Sequence, residues 1–285
     1  ALSSRCGSAD VLERLKIIMI SLNNKLHRLY INFKYKPIKP LAYLHIPKTG
    51  GTYLGQLDKF TRPVLSPFKY LGHSYIVDSP NDINIIRFDK KLATTSVISR
   101  KLIANYYIFS TVRNIYDWLV SYTSFAAGWK YKNGNPGHYD YDVATKGFDY
   151  LVNTIANRED IWPNRKFIHC QLFSSNGDLI VDWLNRTDRL DTGLQQLASK
   201  FKLYYKKRNK QKVSNRQNYQ HYYNNRLVDI VSETWSREIN LFGFSFEDKI
   251  NNKCVLSNEI SVKNKEHVKY YYHNNTLIND DVIID

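Results

Sequence analysis

A chain of 285 residues with 43% hydrophobic residues is long enough to bury a full core as one compact domain. Its 41 Lys and Arg against 26 Asp and Glu give a formal charge of +15, which favours polyanionic ligands: a phosphonucleotide, nucleic acid or an acidic glycan. No window approaches the roughly 20 apolar residues of a bilayer crossing, and Cys6, Cys170 and Cys254 are odd in number, lack metal-ligand spacing and read as ordinary thiols.

The first element is an amphipathic helix over 11–31, because Val11, Leu12, Leu15, Ile18, Met19, Leu22 and Leu26 recur at helical spacing with Glu13, Arg14, Lys16 and Lys25 among them. Its apolar face suits packing on the domain or on a second subunit, which makes a homodimer one expectation; adsorption to an anionic membrane surface is the other. Pro37 and Pro40 punctuate the approach to the first core strand, so residues 1–40 read as a helix and linker ahead of the domain.

Leu41, Ala42, Tyr43 and Leu44 predict a strand, and the string HIPKTGGT at 45–52 predicts a turn that cradles an anion. Gly50 and Gly51 let backbone N–H groups approach a phosphate, Lys48 beside Thr49 supplies a mobile cation, and Thr52 opens a helix over 52–60 whose amides face the same anion. The familiar triphosphate loop, GxxxxGK[ST], places its Lys after the last glycine, whereas Lys48 precedes both, which weakens an ordinary kinase or ATPase reading. A polar stretch containing proline then leads from Thr61 to Gly72, His73, Ser74 and Tyr75.

Residues 106–122, YYIFSTVRNIYDWLVSY, repeat the pattern of strand, turn and helix. Arg113 leaves the strand and Ser121 follows eight positions later, two helical turns on. A guanidinium offers phosphate a planar bidentate fork, and a hydroxyl on the next helix completes the shell.

The string PKTGGT after a strand, with the Arg113 and Ser121 pair downstream, resembles the two phosphate sites of sulfotransferases that use 3'-phosphoadenosine 5'-phosphosulfate (PAPS), particularly the carbohydrate-type branch. The resemblance runs over 41–246 and implies an α/β fold: a P-loop-like three-layer domain with a central parallel sheet flanked by helices. It implies that Lys48, Thr49, Gly50, Gly51 and Thr52 hold the 5'-phosphosulfate, that Arg113 and Ser121 grip the 3'-phosphate, and that 3'-phosphoadenosine 5'-phosphate (PAP) is the product. Ile115 stands where the family often has proline and Trp118 where it often has a second arginine, so the bracing of this turn is open. Members of that branch often carry a Gly-His element between the two motifs, and Gly72-His73 is similar in order and chemistry. Imidazole has the pKa of a base at neutral pH, which makes His73 the candidate catalytic base beside Lys48. His45, at the end of a buried strand, reads as a core or loop-bracing histidine, and His138 is the other rival.

The stretch 127–147 sets Trp129, Tyr131, His138, Tyr139 and Tyr141 among glycines and a proline, a composition that suits either a mobile lid on which an acceptor ring stacks or simple surface covering. Residues 166–171 and 179–184 predict strands, followed by a helix through Phe201; here the family's Arg-Phe-Glu-like element is replaced by Arg186-Thr187-Asp188. Lys212, Ser214 and Asn215 precede a helical run over 219–235, and by resemblance this region closes over the nucleotide. Residues 247–285 form a C-terminal extension in which no chemistry is visible.

The expected activity is an O-sulfotransferase acting by in-line displacement on a carbohydrate or small-molecule alcohol, with protein tyrosine also open. No metal is expected, since no carboxylate cluster for magnesium is visible, and neither nucleic acid nor a membrane span is expected as a partner. The alternatives are a P-loop phosphotransferase or nucleotide hydrolase and a basic nucleic-acid-binding protein. The expected compartment is a bacterial-like cytoplasm, or the Golgi lumen if the chain is trimmed of an anchor.

Overall fold

A computed structural model of the chain describes residues 7–54, 65–72, 75–77, 97–130, 140–157, 168–173, 179–207 and 217–247. In chain order the strands are β1 (Leu41–Tyr43), β2 (Leu65–Ser66), β3 (Lys69–Tyr70), β4 (Tyr75–Val77), β5 (Val97–Ser99), β6 (Tyr107–Val112), β7 (Trp183–Arg186) and β8 (Tyr204–Tyr205). The helices are α1 (Gly7–Lys34), α2 (Gly51–Leu54), α3 (Arg100–Ile103), α4 (Ile115–Ala127), α5 (Tyr141–Ala144), α6 (Phe148–Asn157), α7 (Leu190–Phe201), α8 (Asn225–Thr234) and α9 (Ser236–Phe242).

The main sheet has the order β3-β1-β6-β7, and every neighbouring pair in it is parallel. Its register sets Tyr43 beside Phe109 and Phe109 beside Trp183. Side chains alternate between the two faces of a strand. Leu41, Tyr43, Phe109 and Trp183 therefore share one face, where they pack with Leu54 and with Leu190, Leu194, Leu197 and Phe201 of α7. Ala42, Leu44, Ile108, Val112 and Leu184 share the other and pack with Leu119 of α4, Leu151 of α6 and Val231 of α8. The result is a parallel sheet with helices over both faces, the arrangement that near-continuous apolar strands require.

Strand order locates the functional end of this sheet. From β1 the chain passes to β3 on one side, whereas β6 and then β7 lie on the other. The order reverses between β1 and β6, and in open α/β sheets ligands bind in the crevice outside the carboxyl ends of strands at such a point.

Several elements differ from the sequence expectation, each for a local reason. The N-terminal helix is longer, Gly7–Lys34. Where a strand was expected over 166–171, the described residues form a turn and a 3-10 segment, Cys170–Leu172, because the N–H groups of Ile168 and His169 donate to the Glu238 carboxylate rather than to a strand. Where one was expected over 179–184, Leu179 makes only an isolated antiparallel bridge to Phe173 and pairing with β6 begins at Trp183: Asp182 closes its end of the ladder, its N–H donating to the Ile108 carbonyl at 2.8 Å and its carboxylate accepting the Ile108 N–H at 2.7 Å. The expected run over 219–235 divides into a 3-10 turn, Tyr219–Tyr222, and α8, whose N-terminus is capped by the Asn224 side chain accepting from the Leu227 N–H at 2.9 Å. Of the helix expected over 52–60, Gly51–Leu54 lies among the described residues.

Candidate functional site

The first loop leaves β1 at the switch point. Leu44 N–H donates to the Phe109 carbonyl at 3.0 Å and His45 N–H to that of Gly72 at 3.0 Å, so the chain stays tied to both neighbouring strands before it turns. The turn itself uses left-handed backbone at Lys48 (φ +64°) and Gly50 (φ +98°). Such a conformation is costly for a side chain like that of lysine. Thr49 is buried and points inward, its N–H and Oγ1 both donating to the Ile46 carbonyl, at 3.3 and 2.8 Å.

Beneath the loop lies His45, buried, stacked on Tyr43 with ring centroids 5.7 Å apart and hydrogen-bonded at Nδ1 with the Tyr70 hydroxyl at 2.6 Å. Burial pushes that hydroxyl up to about 12, so it keeps its proton well into the alkaline range. A Cβ on Gly51 would fall 2.1 Å from His45 Nε2, so this position accepts glycine because the imidazole fills the space. Sequence reading assigned Gly51 to phosphate approach; the fold adds a packing requirement.

The second loop leaves β6. Asn114 caps α4, its Oδ1 accepting the Tyr116 N–H at 3.2 Å and its Nδ2 donating to the Ser245 carbonyl at 2.8 Å. Arg113 N–H donates to His169 Nε2 at 3.2 Å. An accepting Nε2 leaves the ring proton on Nδ1, where it donates to the buried Glu238 carboxylate. His169 and Glu238, absent from the sequence reading, thus fix the backbone from which Arg113 projects.

The two loops converge. Arg113 Nη1 donates to the Lys48 carbonyl at 2.9 Å, and its Nε pairs with Asp117 at 2.6 Å. Trp118 Nε1 donates to the Pro47 carbonyl at 2.9 Å while its ring stacks on Tyr122 at 4.6 Å. The indole therefore braces the first loop from the position where the resembled family often has arginine. The Lys48 ammonium lies 4.3 Å from the centroid of Phe125, and Phe125 meets Trp129 edge to face at 5.2 Å.

Asp117, Ser121 and Phe125 are spaced four apart and share one stripe of α4. Ser124 and Thr123, just off that stripe, return their hydroxyls to carbonyls of their own helix. Ser121, half-buried, makes no such bond, and neither its hydroxyl nor Arg113 Nη2 has a partner among the described residues. The ion pair with Asp117 carries the guanidinium one turn along α4, leaving about 6 Å of axial rise to Ser121. Together the two form a donor set suited to a phosphate.

Of the other candidates, Thr52 lies in the first turn of α2 and Trp129 is exposed. His73, Tyr131, His138, Tyr139, Lys212, Ser214 and Asn215 lie outside the described residues. The preceding residue, Gly72, sits beside His45 at the mouth of the first loop. Asp140, which sequence reading set in the aromatic stretch, is buried and accepts from the Tyr122 hydroxyl. Arg186 is buried and its Nε and Nη2 donate to Asp188 at 3.1 and 3.2 Å, within the loop that follows β7. Among the described residues no group of His, Cys, Asp and Glu could hold a metal ion, and no helix is long and apolar enough to cross a membrane. Comparison with known families, curated proteins and solved structures returns no match to this chain.

Proposed function

We propose that this chain is a PAPS-dependent O-sulfotransferase with a P-loop-like nucleotide site between the two loops. The observation that carries the reading is a pair of donors without a partner among the described residues, Arg113 Nη2 just ahead of α4 and Ser121 Oγ on the stripe of α4 that holds Asp117 and Phe125. A single phosphate taken there, a second anion at the glycine turn and the intervening Arg113–Lys48 contact describe a ligand with two separate phosphate groups.

Bound PAPS supplies the sulfuryl group. Arg113 and Ser121 hold its 3'-phosphate, and residues 48–52 hold the 5' end. Lys48 then neutralises charge growing on the bridging oxygen as the S–O bond breaks, the kind of electrostatic stabilisation that usually contributes most. His73 takes the proton of the acceptor hydroxyl. Trp129, stacked edge-on against the ring that carries Lys48, gives an acceptor sugar or alcohol an aromatic surface next to that cation.

Calorimetric titration with PAP, AMP and ATP, with and without magnesium, tests this on wild type, Arg113→Ala and Ser121→Ala. Metal-independent binding that prefers PAP to AMP and disappears in Arg113→Ala is the expected result. Equal affinity for PAP and AMP would remove the 3'-phosphate site and the proposal with it, and a magnesium-dependent preference for ATP would turn the reading to phosphoryl transfer.

A further inference from the structure

The outward face of α1 carries an apolar seam that the domain does not cover. Over the C-terminal half of the helix the domain packs on the opposite side, where Asn24 and Ile31 are buried and His27 meets Tyr204 at 5.9 Å, while Ile17 and Ile20, nearer the N-terminus on that side, are exposed. On the far side Leu15, Met19, Leu22, Leu26, Leu29 and Phe33 are each at least half exposed, Phe33 by 81%. Their spacing alternates four and three without a break, and Leu12 opens the same alternation in the sequence. An average period of 3.5 keeps a narrow stripe turned toward a partner helix, whereas a lipid surface selects for no such period.

We propose that α1 pairs with α1 of a second copy of this chain along this seam, so that the protein is a parallel homodimer. The seam side chains, with Ile18 and Tyr30 at its edges, each offer on the order of 100 Å² of apolar surface. Together they approach the roughly 800 Å² per partner of a standard interface. Charge permits the parallel register: Lys25 of one copy lies beside Tyr30 of the other and Ile18 beside Asn23, so no like charges meet at these flanks. The domain, attached to the reverse face, stays clear of the helix pair.

Sedimentation equilibrium of the full chain tests the proposal. Wild type is expected at twice the chain mass, the double variant Leu22→Lys, Leu29→Lys at the chain mass, and Ile20→Lys, outside the seam, still at twice. Near-ultraviolet circular dichroism of the double variant should match wild type, because the substituted side chains are exposed and outside the domain's core, while its melt should fall with the lost pairing. Should it fail to fold, Leu22→Cys in a Cys6→Ser, Cys254→Ser background gives a second readout: oxidation should join two copies through it, and should not through Ile20→Cys. A wild type at the chain mass, a double variant that still pairs, or a monomer that floats with phosphatidylserine vesicles would each overturn the proposal, the last by placing the seam in lipid.

Discussion

The guanidinium of Arg113 holds the carbonyl of Lys48 at 2.9 Å, so the cation of the second loop fixes the backbone of the first. Lys48 is the residue in left-handed conformation there, with φ +64°. One side chain therefore both maintains a strained turn and, in the proposed function, meets the ligand.

Arg113→Lys probes both tasks together, since it retains charge and loses the planar fork. With one charge-assisted hydrogen bond contributing about 1.5–3 kcal/mol, PAP affinity should fall roughly 10- to 150-fold. Thermal stability should fall as well, through loss of the bonds to Lys48 and Asp117. Calorimetry with PAP and a melting curve check both; an unchanged affinity would detach Arg113 from the ligand.

Lys48 is assigned the leaving-oxygen charge, and Lys48→Ala should lower kcat about 10²-fold or more. A rise in KM alone would move Lys48 from chemistry to binding. Lys48→Gly supplies a control, because glycine adopts positive φ without the Cβ penalty. It should be equally inactive yet more stable than Lys48→Ala by about 1 kcal/mol in a denaturant titration.

Gly51→Ala sets a methyl 2.1 Å from the imidazole of His45. Overpacking of this kind costs about 1–3 kcal/mol, and the displaced loop should lose PAP affinity too. His45→Ala clears the space, so the double variant should recover part of the loss, a non-additivity that a double-mutant cycle of unfolding free energies measures. Strict additivity would mean that the imidazole is not the obstacle.

Burial holds the Tyr70 hydroxyl at about 12, while tyrosine in an unfolded chain ionises near 10. Between these values the unfolded chain has lost a proton that the folded chain still keeps, so stability falls as pH rises through this window. Tyr43, fully buried, is pushed up in the same direction and adds to the fall. In urea titrations from about pH 9 to about pH 12, Tyr70→Phe should show a shallower alkaline decline than wild type. Its stability at neutral pH should be lower by about 1 kcal/mol for the lost bond to His45. Equal alkaline slopes would contradict the assignment.

The sequence by itself determined the strands β1 and β6 and the two loops, because those signals are local: apolar runs for the strands, glycines and a cation at 48–51, an arginine at a strand end, a serine two turns on. The same locality explains the misplaced elements, since Glu238 draws 168–169 out of a strand from seventy residues away and no periodicity records that. The seam of α1 was legible as spacing, but which face the domain covers was not. Only the tertiary structure decided that β1 and β6 lie side by side at the reversal of strand order, that Trp118 braces Pro47 where an arginine was awaited, and that His169 and Glu238 anchor Arg113. These are pairings between residues distant in the chain, fixed by packing and by the need of each buried donor for an acceptor, and chain spacing carries neither.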